Sequence, residues 1–147
     1  MNVSLGAEEI AWGENLSQRL RAYDRERGYS DRMRAKDKEA KELLGVLGKM
    51  AVSKALNIPL KGFQHKPTQV DGVVRDKEVS VRTRSWRGDL LVDRPKRNLH
   101  YILVYAFPPD FQLVGWMKGD EVKKVGEDMG AFWVVDVSHL HAMRELV

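Results

Sequence analysis

The chain has no cysteine and only four histidines. The first absence excludes disulfides, thiolate nucleophiles and cysteine-built zinc sites, and the second leaves too few imidazoles for a His-rich metal centre. His139 and His141 stand two apart near the end and read as surface residues. His65 and His100 each precede a strand-like segment, but neither is paired with a serine or carboxylate in a catalytic motif. No apolar run approaches the roughly 20 residues that span a bilayer. The opening segment, Met1 to Glu9, lacks both a basic leader and a long apolar stretch, so it does not read as a signal peptide. The expectation is a cytoplasmic protein with no membrane segment. Internal repeats and low-complexity linkers are also lacking.

What is present fits one domain spanning 1–147, with 1–33 as an N-terminal helical extension and 34–147 as the core. A chain of 147 residues buries roughly 68–70% of its unfolded surface, enough for a core without staples. The net charge of +4 is unevenly spread. Residues 51–98 hold eleven Lys/Arg against five Asp/Glu, whereas residues 99–147 hold four against seven. A local basic excess of this kind suits a phosphate-bearing partner, because phosphate contacts supply most nonspecific nucleic-acid affinity.

Between Ala7 and Arg27, Trp12, Leu16, Leu20 and Tyr23 recur at helical spacing, which predicts an amphipathic helix ended by Gly28. Its arginines and acids read as solvated ion pairs. A second helix is predicted from Arg34 to Leu56, with Leu43, Leu44, Leu47, Met50, Ala51 and Ala55 as its apolar stripe and Asn57 and Pro59 marking its end. Gly45 and Gly48 lie inside it. Each costs roughly 1 kcal/mol against alanine there, so both point to close packing on another element, the sheet.

From Val70 the period changes to two. Glu78 to Arg84 places Val79, Val81 and Thr83 on one face and Glu78, Ser80, Arg82 and Arg84 on the other. Arg75–Asp76–Lys77 reads as the turn of a hairpin whose first strand carries Asp71. Asp89 to Asp93 reads as a further strand, and Tyr101 to Phe107, bounded by Pro108–Pro109, as a central strand buried on both faces. Phe111 to Met117 should return beside it. A short strand at Phe132 to Val135 and a terminal turn or helix from Ser138 to Leu146 complete an α+β plan, with N-terminal helices packed on a mixed, mostly antiparallel sheet.

The segments Leu47 to Leu56, Asp71, Val79 to Arg84, Tyr101 to Val104 and Val114–Gly115–Trp116, in this order, resemble small phage-type members of the PD-(D/E)xK nuclease superfamily. The resemblance implies a restriction-endonuclease-like fold. It also implies a magnesium site built from a helix glutamate, an aspartate at the hairpin and a Glu-x-Lys or Glu-x-Arg pair on the next strand. Carboxylates would hold the hard cation, and the strand cation would orient the attacking water. Asp71 and Arg82 match two of these positions. Ser80 stands where the strand glutamate is expected, and Lys49 where the helix glutamate is expected.

Three readings follow. The first is a nuclease-fold protein with a weakened or lost magnesium site that binds DNA through Lys49, Arg82, Arg84, Arg87, Lys96 and Arg97, with Trp86 stacking on a base. In it, Lys49 pairs with Asp71 and turns the former metal site into a structural ion pair. The second is an active magnesium-dependent nuclease using Asp71, Glu78 and Arg82, with Asp71 and Glu78 as metal ligands and Glu42 as the helix acid. It requires a bulge, since Glu78 lies two residues from Ser80, about 6–7 Å along the strand, while Glu42 lies two turns from Lys49, about 10 Å away. The third is an accessory protein that binds a host or phage protein and uses the fold as a scaffold.

Overall fold

The structure, a computed structural model, describes residues 1–26, 35–59, 70–85 and 87–147, and for residues 23–26 and 35–37 the backbone alone. In chain order the elements are β1 (Asn2–Ser4), α1 (Ala7–Glu26), α2 (Ala35–Leu56), β2 (Gly72–Val74), β3 (Lys77–Arg84) and β4 (Leu90–Val92). They continue with β5 (His100–Phe107), β6 (Asp110–Lys118), α3 (Gly119–Val125), β7 (Glu127–Asp128) and β8 (Trp133–Val135). Two short 3-10 turns, Val137–His139 and Met143–Glu145, carry the chain to its end. This is an α+β fold. Its central sheet has the order β1-β6-β5-β3-β2, antiparallel throughout except for the parallel β3–β5 pair. A second, antiparallel sheet has the order β4-β8-β7.

The alternation along β5 organises the core. Ile102, Val104 and Ala106 face one way and pack with Val79 and Val81 of β3 against Leu47, Ala51 and Val52 of α2. Tyr101, Leu103 and Tyr105 face the other way and pack with Leu90, Val92, Val135 and Val122 of the second sheet and α3. An uninterrupted apolar run is what a strand covered on both faces requires. The predicted hairpin is also present: β2 and β3 are joined through Arg75 (φ 45°) and Asp76 (φ 66°), the two positive values that match the right-handed strand twist. Asn57 (φ 53°) ends α2 in the left-handed region, as its sequence predicts.

The two helical glycines of α2 part company. A Cβ on Gly48 would lie 1.9 Å from Thr83 Oγ1, so the missing side chain lets α2 lie directly on β3. A Cβ on Gly45 meets nothing within 4 Å, and the expected packing role does not apply to it. α1 also differs from its predicted face. Trp12 is 49% exposed, and the side buried against α2 carries Gly13 and Ser17, with Ile10 beside them. The small residues let two helices approach closely, a Cβ on Gly13 falling 2.7 Å from Leu47, and that packing prevails over burial of the largest ring. Gly28, the expected stop of the first helix, lies outside the described residues. Asp89 to Asp93 does form a strand, but it belongs to the second sheet. No described helix is long and apolar enough to cross a membrane.

Candidate functional site

Asp71 stands just before β2, where the first strand of the hairpin leaves the sheet. Its N–H donates to Val79 O at 2.8 Å, and its carboxylate turns back to accept from Val81 N–H at 2.7 Å. The second carboxylate oxygen lies 3.2 Å from Lys49 Nζ. Asp71 is 4% exposed, and a carboxylate so buried needs both partners to offset its lost hydration. Helix and hairpin therefore meet at Lys49 and Asp71, the two positions that the sequence pairs.

β3 presents Ser80, Arg82 and Arg84 on the face opposite α2, in parallel register with Tyr101, Leu103 and Tyr105. Ser80 is buried. Arg82 Nη1 donates to Asp93 Oδ1 at 3.1 Å while its guanidinium sits 5.3 Å from the centre of the Tyr101 ring. Arg84 Nη1 donates to Asp89 O at 2.9 Å and so pins the loop that leads into β4. Burial raises the Tyr101 phenol above its ordinary pKa, and that hydroxyl accepts from Lys96 N–H at 2.9 Å. One aromatic residue thus supports the strand cation from below and holds the Lys96 turn.

Arg82 and Arg84 line a cleft of about 490 Å³ between α2, β3, β4 and the start of β8. Lys41 and Gly45 of α2, Thr83, Asp93, Leu91 and Phe132 line it too. Lys41, Gly45 and Lys49 are spaced four apart and share one helix face. The open space above Gly45 forms part of the cleft wall, so the glycine that packing leaves unexplained has a place here. Arg82 Nε and Thr83 Oγ1 are buried without a hydrogen-bond partner among the described residues.

Compared with known proteins, the chain matches no family model, no curated protein and no solved structure.

The remaining sequence candidates are dispersed. Glu78 is exposed and lies opposite Val73 near the hairpin turn, and its carbonyl oxygen lies 3.2 Å from His100 Nδ1. Glu42 faces Lys38 (3.6 Å) and Arg21 (4.0 Å), on the side of α2 turned to α1. Arg87, Lys96 and Arg97 are exposed and are not among the residues of the cleft. Trp86 and His65 lie outside the described residues. Both oxygens of Asp71 already face donors, Val81 N–H and Lys49 Nζ, and among the described residues no group of three or more His, Asp or Glu is placed to hold a metal ion.

Sequence reasoning passed over Lys41 and Phe132. The four-residue spacing of Lys41, Gly45 and Lys49 was a usable signal for the first. Nothing local marks Phe132, because only the second sheet brings it beside β3.

His100 is buried at the start of β5, its ring 5.4 Å from that of Trp116, which in turn lies 4.6 Å from His141. His141 is half-buried, with Nε2 2.7 Å from Glu121 Oε2, so it ties the terminal segment to α3 rather than standing free on the surface. Burial holds the His100 pKa below its ordinary value, with a smaller push from Lys118 and Lys77, against the hydrogen bond to Glu78 O and the charge of Glu121. The unfolded state then binds more protons than the folded one below about pH 6.5. The contribution is fully present above that pH and is lost as pH falls toward the folded pKa. Urea titrations should therefore show the wild type losing more stability between pH 7.5 and 5.5 than His100→Gln. Parallel pH profiles for the two proteins would refute this.

Proposed function

We propose that this protein binds DNA through the cleft between α2, β3 and the second sheet, on a nuclease-like fold whose magnesium site has been replaced by the Lys49–Asp71 ion pair. The observation that carries this reading is the convergence of Lys41, Arg82 and Arg84 on one cleft, where among the described lining residues Asp93 alone opposes them. Arg82 is held by Tyr101 and Asp93 while it lines the cleft, so its guanidinium is pre-positioned to donate to the oxygens of an anion such as a phosphodiester. Asp71 adjoins the same wall through its bond to Val81. A lysine in contact with that aspartate neutralises the carboxylate that would otherwise repel a phosphate. The chemistry available is binding and orientation of the backbone, without a metal-activated water.

Fluorescence anisotropy with labelled DNA, run in EDTA and in magnesium, tests the reading. Binding should persist in EDTA and weaken steeply with salt. Lys41→Gln and Arg82→Gln should each weaken it and lower the salt slope by about 1, the signature of one lost phosphate contact. No binding at low salt, or binding indifferent to both substitutions, would overturn it. Cleavage in magnesium or manganese that Glu78→Gln abolishes would establish an active nuclease instead.

A further inference from the structure

β7 and β8 form a hairpin, with Glu127 opposite Val134 and Asp128 opposite Trp133. Its tip, Met129 to Phe132, is well tied. Met129 N–H donates to Phe132 O at 2.9 Å, and Asp128 Oδ1 accepts from Gly130 N–H at 2.9 Å. Gly130 takes φ +93°, a conformation that side chains other than glycine rarely adopt. This fixed turn nevertheless presents Met129 54% exposed and Phe132 37% exposed. Phe132 lines the cationic cleft together with Leu91, itself 36% exposed on β4.

An apolar lip facing three cations across one cleft asks for a ligand that is anionic along one edge and flat and apolar along the other. We infer that the cleft takes single-stranded DNA, with Phe132 as the stacking platform for an unpaired base while Lys41, Arg82 and Arg84 hold the adjoining phosphates. The inference rests on the DNA-binding reading above and narrows it. In a duplex the base faces are stacked on one another, so the exposed ring would meet only sugar and phosphate. Aromatic stacking beside a basic groove is how single strands are held without a sequence code. The volume, about 490 Å³, falls in the range of pockets for small ligands, suited to a nucleotide or two rather than to a double helix. Met129, one step out on the same tip, would meet the neighbouring base.

Anisotropy titrations with fluorescein-labelled oligo-dT and with a fully paired duplex of equal length decide the matter. The single strand should bind about tenfold more tightly than the duplex. Phe132→Ala should lose about tenfold on oligo-dT and less than twofold on the duplex, with an unchanged salt slope, because stacking releases no counterions. Phe132→Trp should retain binding, while Phe132→Leu, apolar but without a π-face, should not. Urea denaturation of the same variants should give wild-type midpoints, since the ring is exposed. A duplex bound as tightly as the single strand, or equal losses on both for Phe132→Ala, would overturn this inference and leave the cationic cleft standing. Failure to bind either DNA would overturn the cleft reading itself.

Discussion

Replacing Lys49 with glutamate should cost about 3–5 kcal/mol of folding stability at neutral pH, the range found when a buried charge loses its partner. The size follows from Asp71. Its carboxylate is buried, accepts one backbone N–H, and faces Lys49 at 3.2 Å with its other oxygen. Lys49→Glu removes the compensating charge and adds a like one. Lys49→Met, which only removes it, should cost less, about 2–3 kcal/mol. Asp71→Ala should cost about 1–3 kcal/mol, because the partly exposed lysine can turn to water and the main loss is the unpaired Val81 N–H. Urea unfolding with unchanged m-values would measure all three. A loss below 1 kcal/mol for Lys49→Glu would make the contact an ordinary surface pair. The same variant tests the proposed origin of the site. Two carboxylates facing each other from helix and hairpin offer hard oxygens, so millimolar magnesium should restore about 1 kcal/mol to Lys49→Glu. It should add nothing to the wild type.

Gly48→Ala should destabilise by about 2 kcal/mol, although alanine is intrinsically the better helix former. The added Cβ would sit 1.9 Å from Thr83 Oγ1 and 2.9 Å from both Thr83 Cβ and Cγ2. Rotation of the threonine exchanges one close atom for another and leaves its Cβ in place, so α2 must move off β3. Overpacking of this kind costs roughly 1–3 kcal/mol, sometimes more, against about 1 kcal/mol of propensity gained. Gly45→Ala supplies the control: with nothing within 4 Å, it should stabilise by about 0.5–1 kcal/mol. Thermal or urea midpoints that move in opposite directions for glycines three residues apart would confirm the close approach of α2 to β3. Adding Thr83→Ala should relieve part of the Gly48→Ala loss, a coupling that a double-mutant cycle reads directly.

The elements that were legible in the sequence carry their burial pattern within a few residues. β3 alternates, β5 is apolar without interruption, and α2 repeats at helical spacing, so each reports its own surroundings. The pairing of Lys49 with Asp71 was legible for another reason: the resemblance places both residues at one point, and their charges are complementary. β1, α3 and β7 were not legible. β1 is three residues long and owes its conformation to β6. α3 begins at Gly119, which locally suggests a break; in the fold that glycine allows the helix to approach Lys96, where a Cβ would fall 1.8 Å from the carbonyl oxygen. Neither is a local property. The basic candidates divided for the same reason. Arg82 and Arg84 lie on a strand whose facing direction is set by period, whereas Arg87, Lys96 and Arg97 sit in connections that the second sheet directs elsewhere. Trp12 shows the reverse error, since hydrophobicity assigned it to the core and helix-to-helix distance did not.

The edge strand β1 has one further consequence. Met1 N donates to Leu113 O across 112 residues of sequence, and Val3 lies opposite Phe111 in the same ladder. β1 therefore waits for β6 before it has a partner, and the uncovered side of β6 stays open to other strands until β1 docks. Closure of so long a loop places β1 docking late in folding. Refolding followed by hydrogen exchange should protect β3 and β5 before Leu113, and a chain shortened at its start should aggregate more readily than it unfolds.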